Sequence, residues 1–453
     1  MQLLSDREHS ASRGWLVSSA LWLVLGTTLG LIDAIHLAAP DLLGSVSWLH
    51  FGRARPMHVN AVTFGFVATG LIGSTLYMLP MVLKTRLQGE RLANLAMWLW
   101  SAAVVGGTIS LAMGETQARE YAEWTWPFDL LLTGSMVLLL ICCFRTIFAR
   151  NENVLYVSVW YIAGALLWTS MMYPIGNVLW QPQTGSVSGI MDAILLWFYG
   201  HNIFGLFLTP LSVAIFYYLV PRLARAPLYS HVLSHVGFWG LLFFYTHIGT
   251  HHLLQAPVPT WLKEISIVDS VAMLIPVTTS LVNIWLTMRG RLANVRETPA
   301  GRIVFAASVW YFIVSTQGSL QSLPSVQRYT HFTQWVVAHA HIAVLGFAGL
   351  TALAGTWYVL PRTVNRRIFS EMLVDVQYWL LMIGVTGFFV TLTAAGLAQG
   401  HAWHNGEPVY NTLSMIAPYM VWRLLIGVLV WVAALIGLYN VVQTIRRGEP
   451  EQP

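Results

Sequence analysis

The chain has 453 residues, of which 56% are apolar and only 9% charged, and its formal net charge is +5. A soluble protein of this length carries about a quarter charged residues, which excludes a water-soluble globular enzyme and points to a chain that crosses a membrane many times. The cationic surplus does not indicate nucleic-acid binding, because the basic residues lie in short loops, and the only cysteines, Cys142 and Cys143, sit side by side in an apolar run where no disulfide framework forms.

The first 15 residues are polar, and the apolar run after them has no small-residue cleavage site. It reads as a spanning helix rather than a signal peptide. A spanning helix needs about 20 apolar residues. Twelve such segments are expected, at 16–38, 58–82, 93–113, 127–149, 153–175, 190–220, 232–254, 265–288, 301–323, 333–360, 376–398 and 412–445. The expected fold is an all-α membrane protein, a twelve-transmembrane-helix bundle forming one polytopic domain over residues 1–453. The loops alternate in charge. One side gathers Arg7, Arg13, Lys84, Arg86, Arg145, Arg150, Arg222, Arg225, Arg289, Arg291, Arg362, Arg366, Arg446 and Arg447 among others. The other side holds Arg53, Arg55, Arg119, Lys263 and Arg328, with Arg423 near a helix end. The positive-inside rule then predicts both termini in the cytoplasm. There is no repeat at a solenoid period, and the loops are too short to hold a soluble catalytic domain.

Six histidines fall in or beside these segments. His58 opens the second from its outer end. His201 lies about eleven residues into the sixth, His251 and His252 near the outer end of the seventh, and His339 and His341 about two turns into the tenth. At about 1.5 Å of rise per residue, all six are expected in the outer half of the membrane. Polar groups at such depth are costly and usually functional. Imidazole is also the commonest protein ligand for copper, iron and zinc.

The spacings sharpen this. Residues i and i+2 of an α-helix project about 200° apart, so His339 and His341 face opposite sides and can each ligate a metal between flat cofactors. His58 can complete six-coordination of one iron, leaving the other iron an open position for a gas. His251 and His252, about 100° apart on an α-helix, can converge on one ion with His201. Three nitrogen ligands and an open position suit copper, and on ligand type alone zinc. Tyr245, seven residues before His252, is expected two turns deeper on nearly the same face, where a phenol can supply a proton and an electron. Thr209, Tyr217 and Ser234 lie toward the cytoplasm on the same two helices and outline a proton path with it.

Each feature has a plainer explanation. A lone membrane histidine is often a packed, hydrogen-bonded residue. Thr209 and Ser234 can bond their own helix carbonyls. Most tryptophans are interfacial belt residues. His36, His50, His231, His235, His401 and His404, in loops or near helix ends, are read as structural. The conjunction of H-N, H-H and H-x-H at matched depth is what favours metal sites.

The strings RPMHVNAVTFGF (55–66), REYAEWTWPFD (119–129), YVSVW (156–160), DAILLWFYGHN (192–202), FFYTHIGTHHL (243–253) and YTHFTQWVVAHAH (329–341) carry a resemblance. Through them the chain resembles the heme–copper oxidase superfamily, most closely the catalytic subunit (subunit I) of cbb3-type cytochrome c oxidases. The resemblance implies a proton-translocating terminal oxygen reductase of the bacterial inner (cytoplasmic) membrane. Electrons would come from c-type cytochrome subunits on the periplasmic side and protons from the cytoplasm. It implies His58 and His341 as axial ligands of low-spin heme b, His339 as proximal ligand of high-spin heme b3, and His201, His251 and His252 as ligands of a CuB-type copper. Tyr245 matches the active-site tyrosine, which the family cross-links to the histidine matching His201. Other oxidase families carry that tyrosine on helix 6, where this chain has Gly205. Thr209, Tyr217, Ser234 and Tyr245 match the family's single proton channel. His331, Thr333, Arg55 and Arg423 are expected to bond or neutralise heme propionates.

Two positions depart from the family pattern. Gln317 stands where the family has a glutamate, and Gln334 where it has an aspartate. The rival readings are a nitric oxide reductase of the same superfamily, which turns NO into N2O at a non-heme iron, and a non-catalytic heme membrane protein. The usual reductase glutamate one turn after His201 is absent.

Overall fold

The computed structural model describes residues 4–183 and 187–450. Among them the chain is helical throughout, with a single isolated bridge, Arg366 to Pro450, and no strand. The long helices in chain order are α1 (Ser10–Ala38), α2 (Phe51–Leu83), α3 (Glu90–Met113), α4 (Trp126–Phe148), α5 (Val157–Gly176), α6 (Gly189–Ala224), α7 (His231–Tyr245), α8 (Thr260–Met288), α9 (Pro299–Gln321), α10 (Gln334–Val364), α11 (Glu371–His404) and α12 (Asn411–Arg447). Each expected apolar segment overlaps one of them. Among the described residues, ten are long and apolar enough to cross a membrane. The others are α5, of 20 residues, and α7, which stops after 15. Large apolar side chains cover the perimeter: Phe148 is 77% exposed and Trp379 62%. That is the surface of a bundle solvated by lipid.

A threefold internal pattern with a period near 140 residues, far longer than any solenoid repeat, organises the bundle. The strings LPMVLKTRLQGE (79–90), VPRLARAPLYSH (220–231) and LPRTVNRRIFSE (360–371) align. Each ends one helix and begins the next. Lys84, Arg225 and Asn365 occupy the same left-handed conformation, with φ of 50, 53 and 50°. The amides of Thr85, Ala226 and Arg366 then donate to Pro80, Pro221 and Pro361 carbonyls at 3.1, 3.0 and 3.0 Å, closing the helix ends. Thr146, Thr287 and Thr444 hydroxyls accept from the amides of Gln88, Tyr229 and Phe369. Asn283 and Asn440 amides donate to Ser230 and Ser370 carbonyls, and the Cys142 thiol does the same to Gly89. Cys142 is therefore a structural residue.

The same period appears in the helices that carry histidines. In α2, α6 and α10 the α-helix gives way to a wider π-helical stretch, at Ala61–Ala68, Phe204–Leu208 and Ile342–Gly349. These begin directly after the segments holding His58, His201 and His341. π-Helical insertions rotate the residues beyond them and recur at functional sites.

Candidate metal centre

All six histidines line one cavity of about 690 Å³ within the bundle. It is walled by α1, α2, α6, α8, α9, α10, α11 and α12 and by the turn after α7.

His201, His251 and His252 converge: one nitrogen from each lies within 4.8 Å of the other two. The route to this geometry differs from the sequence expectation. Helix α7 ends at Tyr245, and the histidine pair sits on a 3-10 turn, Ile248–Leu253. Gly249 explains the change. A Cβ there would lie 2.1 Å from the Trp197 carbonyl oxygen. The turn thus packs backbone to backbone against α6, one helical turn before His201. The His251 Nδ1–H donates to Ser270 Oγ at 2.8 Å, because the Ser270 hydroxyl is itself spent on the Ser266 carbonyl. His251 Nε2 is left as a lone pair facing His252 Nε2 at 3.1 Å. A His252 Nε2–H can donate to that lone pair, and a shared cation can take the place of the proton. His252 also stacks on Trp197, with centroids 3.9 Å apart at 13°. His201 Nδ1 is buried without a hydrogen-bond partner.

The Tyr245 ring lies 4.9 Å from the His201 ring. A Cβ built at Gly205 would fall 1.5 Å from Tyr245 Cε1. Only glycine at 205 lets the phenol occupy this place.

The other three imidazoles share a pattern. Each commits Nδ1–H to an oxygen, which leaves Nε2 for a metal. His58 donates to the Gly26 carbonyl at 2.7 Å and His341 to the Val337 carbonyl at 2.7 Å. His339 donates to Gln317 Oε1 at 3.0 Å. Gly30 makes room for His58, since a Cβ there would meet the ring at 2.6 Å. His339 turns toward α9, whereas the His341 ring packs 4.5 Å from Phe388 of α11. The opposed projection expected from the H-x-H spacing is present.

The four residues expected at cofactor carboxylates differ in availability. His331 lines the cavity with Nδ1 buried and unpartnered. Arg423 lines it too, its Nη1 reaching Gln334 Oε1 at 3.4 Å. The Arg55 fork is already engaged by Glu120, at 3.2 and 2.6 Å. The Thr333 hydroxyl is engaged at both ends: it caps α10 by accepting from the Trp335 amide and donates to the Thr330 carbonyl. Of the expected proton-path residues, Thr209 and Tyr245 line the cavity. Tyr217 and Ser234 lie farther along α6 and α7, joined by Asn283, whose amide is 3.5 Å from the Tyr217 hydroxyl and 3.1 Å from Ser234 Oγ. Sequence reasoning did not find Asn283 or Ser270. Ser270 directly follows Asp269, and Asn283 lies three residues after Ser280 in a segment that also holds Thr278 and Thr279, so neither stands out from its neighbours.

A family model described as cytochrome c and quinol oxidase polypeptide I matches residues 10–429. The chain belongs to the heme–copper oxidase family. It is 30% identical to the cbb3-type cytochrome c oxidase subunit CcoN1 of Stutzerimonas stutzeri, over 98% of this chain and 96% of that protein. It is 32% identical to a bacteroid cytochrome c oxidase subunit 1 homolog of Bradyrhizobium diazoefficiens, over 95% of this chain and 81% of that one. A heme–copper terminal oxidase dimer solved by cryo-EM has the same fold, with a TM-score of 0.83 at 15% identity, covering 98% of this chain and 85% of that chain.

Family membership implies hemes and a CuB-type copper, and the oxidase subunit has the donors for them. A three-imidazole cluster with no thiolate or carboxylate among its ligands suits copper. Three further imidazoles with fixed tautomers, in a cavity lined mainly by apolar side chains, suit heme iron.

Proposed function

We propose that this subunit is the catalytic subunit of a cbb3-type cytochrome c oxidase. It reduces O2 to water with electrons from c-type cytochrome subunits and with protons from the cytoplasm, and sits in the bacterial inner membrane with both termini cytoplasmic. The observation that carries the reading is the convergence of His201, His251 and His252 beside the phenol of Tyr245. In this reading His58 and His341 hold low-spin heme b, His339 holds high-spin heme b3, and the trio holds copper. When bound, these groups supply electron transfer and the binding of oxygen.

The chain's own residues do the rest. Ser270 and Gln317 fix the imidazoles of His251 and His339. Gln317, an amide where a carboxylate would draw the His339 proton harder, leaves that ligand closer to a neutral imidazole. The apolar wall excludes bulk water. Tyr245 holds a phenolic proton beside His201, and Ser234, Tyr217 and Thr209 lead toward it from the cytoplasmic side. Gly205, four residues after His201, has no room for a glutamate side chain, which counts against a nitric oxide reductase.

The test is turnover of the purified complex with a reduced c-type cytochrome. Rapid O2 consumption with little N2O formed from NO supports the oxidase. NO reduction without O2 reduction supports the reductase, and neither activity supports a non-catalytic heme protein.

A further inference from the structure

His247 lies two residues after Tyr245 and has no part in holding a metal. It is not among the residues lining the cavity, nor is it one of the three imidazoles that converge. Its side chain is 44% exposed. Its Nδ1 lies 3.1 Å from Oδ2 of Asp269, on α8. A carboxylate only accepts, so the imidazole donates. Asp269 itself is 6% exposed. A buried carboxylate on a spanning helix is costly, and an apolar pair would join two helices at less cost. What this pair adds is direction: one donor, one acceptor and one geometry.

The pair acts at the end of α7. The helix stops at Tyr245 itself, and no left-handed residue closes it, since Thr246 and His247 both keep right-handed backbone. Side chains tie the following residues down instead. Asn202 Nδ2 reaches the Thr246 carbonyl at 3.4 Å, a long contact. His247 and His251, four residues apart, are caught by Asp269 and Ser270, which are consecutive on α8. One of these two ties holds an imidazole of the trio. The other holds the end of the helix that carries the phenol.

We propose that Asp269, acting through His247, is a positioning residue for Tyr245: it fixes the end of α7 and so the placement of the phenol beside His201. The tolerance is small, because the Tyr245 ring already fills the space over Gly205. The effect on catalysis rests on the reading of Tyr245 as the group that holds a proton beside the trio; the hold on the ring does not.

Variants of the assembled membrane complex test it with two readouts. The first is fluorine NMR of complex carrying fluorotyrosine, in which the resonance missing from Tyr245→Phe belongs to this phenol. Asp269→Ala is expected to shift and broaden that resonance. Asp269→Asn, which keeps an oxygen facing the imidazole N–H, is expected to restore it. The second readout is turnover with a reduced c-type cytochrome. Asp269→Ala is expected to lower kcat about tenfold, short of the about 10²-fold cost of a full 1 Å displacement. KM for O2, copper and both hemes should not change, and Asp269→Asn should recover most of the rate. An unshifted resonance in Asp269→Ala, or an Asp269→Asn no better than Asp269→Ala, overturns the proposal. Loss of copper in Asp269→Ala would place the effect at His251 and overturns it too. A shifted resonance with a wild-type rate leaves the positioning standing and counts against the reading of Tyr245. Should Asp269→Ala fail to assemble, His247→Phe combined with Asp269→Val, an apolar pair in place of the polar one, must assemble and show the same two changes. Its failure to assemble, or a wild-type resonance in it, overturns the proposal.

Discussion

Tyr245 occupies the space that a side chain at Gly205 would need, with only 1.5 Å between the ring and a Cβ built there. The two positions are mutually exclusive hosts for one phenol: bulk at 205 evicts Tyr245 from its place beside His201. Gly205→Ala is therefore expected to lower O2 turnover by about 10²-fold, the cost of displacing a reacting group by about 1 Å. Tyr245→Phe is expected to suppress O2 reduction as strongly while both hemes stay bound. Optical spectra and oxygen consumption on the same preparations check both, and wild-type rates in Tyr245→Phe refute its role.

Ser270 fixes the His251 tautomer at 2.8 Å and lies on a different helix from any histidine of the trio. Ser270→Ala is expected to weaken copper binding by about 10- to 100-fold, as loss of a metal ligand's hydrogen-bond partner does. Copper retained after graded chelation, compared with wild type, measures this. Heme content should not change.

Tyr217→Phe and Ser234→Ala remove one hydroxyl each from the cluster around Asn283. Steady-state turnover is expected to fall about tenfold or more, in line with a lost proton-transfer group, with metals and spectra intact. Thr444→Val removes the hydroxyl that accepts from the Phe369 amide just ahead of α11, the counterpart of Thr287, and should affect stability without slowing proton uptake. Equal slowing in Thr444→Val would mean that the α7–α8 cluster is structural only.

Glu123 lies in the loop between α3 and α4, 5% exposed and bonded to Asn60 at 2.9 Å. Burial, the dominant cause, raises its carboxyl to about 7. The folded state thus holds a proton that the unfolded chain releases in the ordinary carboxylate range. Stability should be greatest below that range and fall as pH rises toward 7. Thermal unfolding between pH 5 and 8 reads this window, and Glu123→Gln should flatten the slope across it. An unchanged slope would assign the pH dependence to other groups.

Much of this was legible in the sequence because a membrane penalises stray polarity. Imidazoles at matched depth on four helices stood out, and their H-x-H geometry survived because α10 is α-helical through His341. The H-H pair was read on the wrong helix type. Nothing local marks the end of α7 at Tyr245, and the 3-10 turn exists because Gly249 meets the α6 backbone, a contact between distant segments. The Arg55 fork also grips Glu120, 65 residues away, a pairing no local pattern reveals. The capping role of Thr333 was readable, since it directly precedes α10. The 140-residue repeat was also present in the three proline-containing strings, but at a spacing far beyond solenoid periods.

The most direct test of the central claim is a metal count on the purified complex and on His201→Ala, His251→Ala and His252→Ala variants. One copper for each copy of this subunit is expected, lost in every one of the three variants while the subunit's two heme irons remain. A third iron in place of copper, or copper that survives loss of these imidazoles, would contradict it.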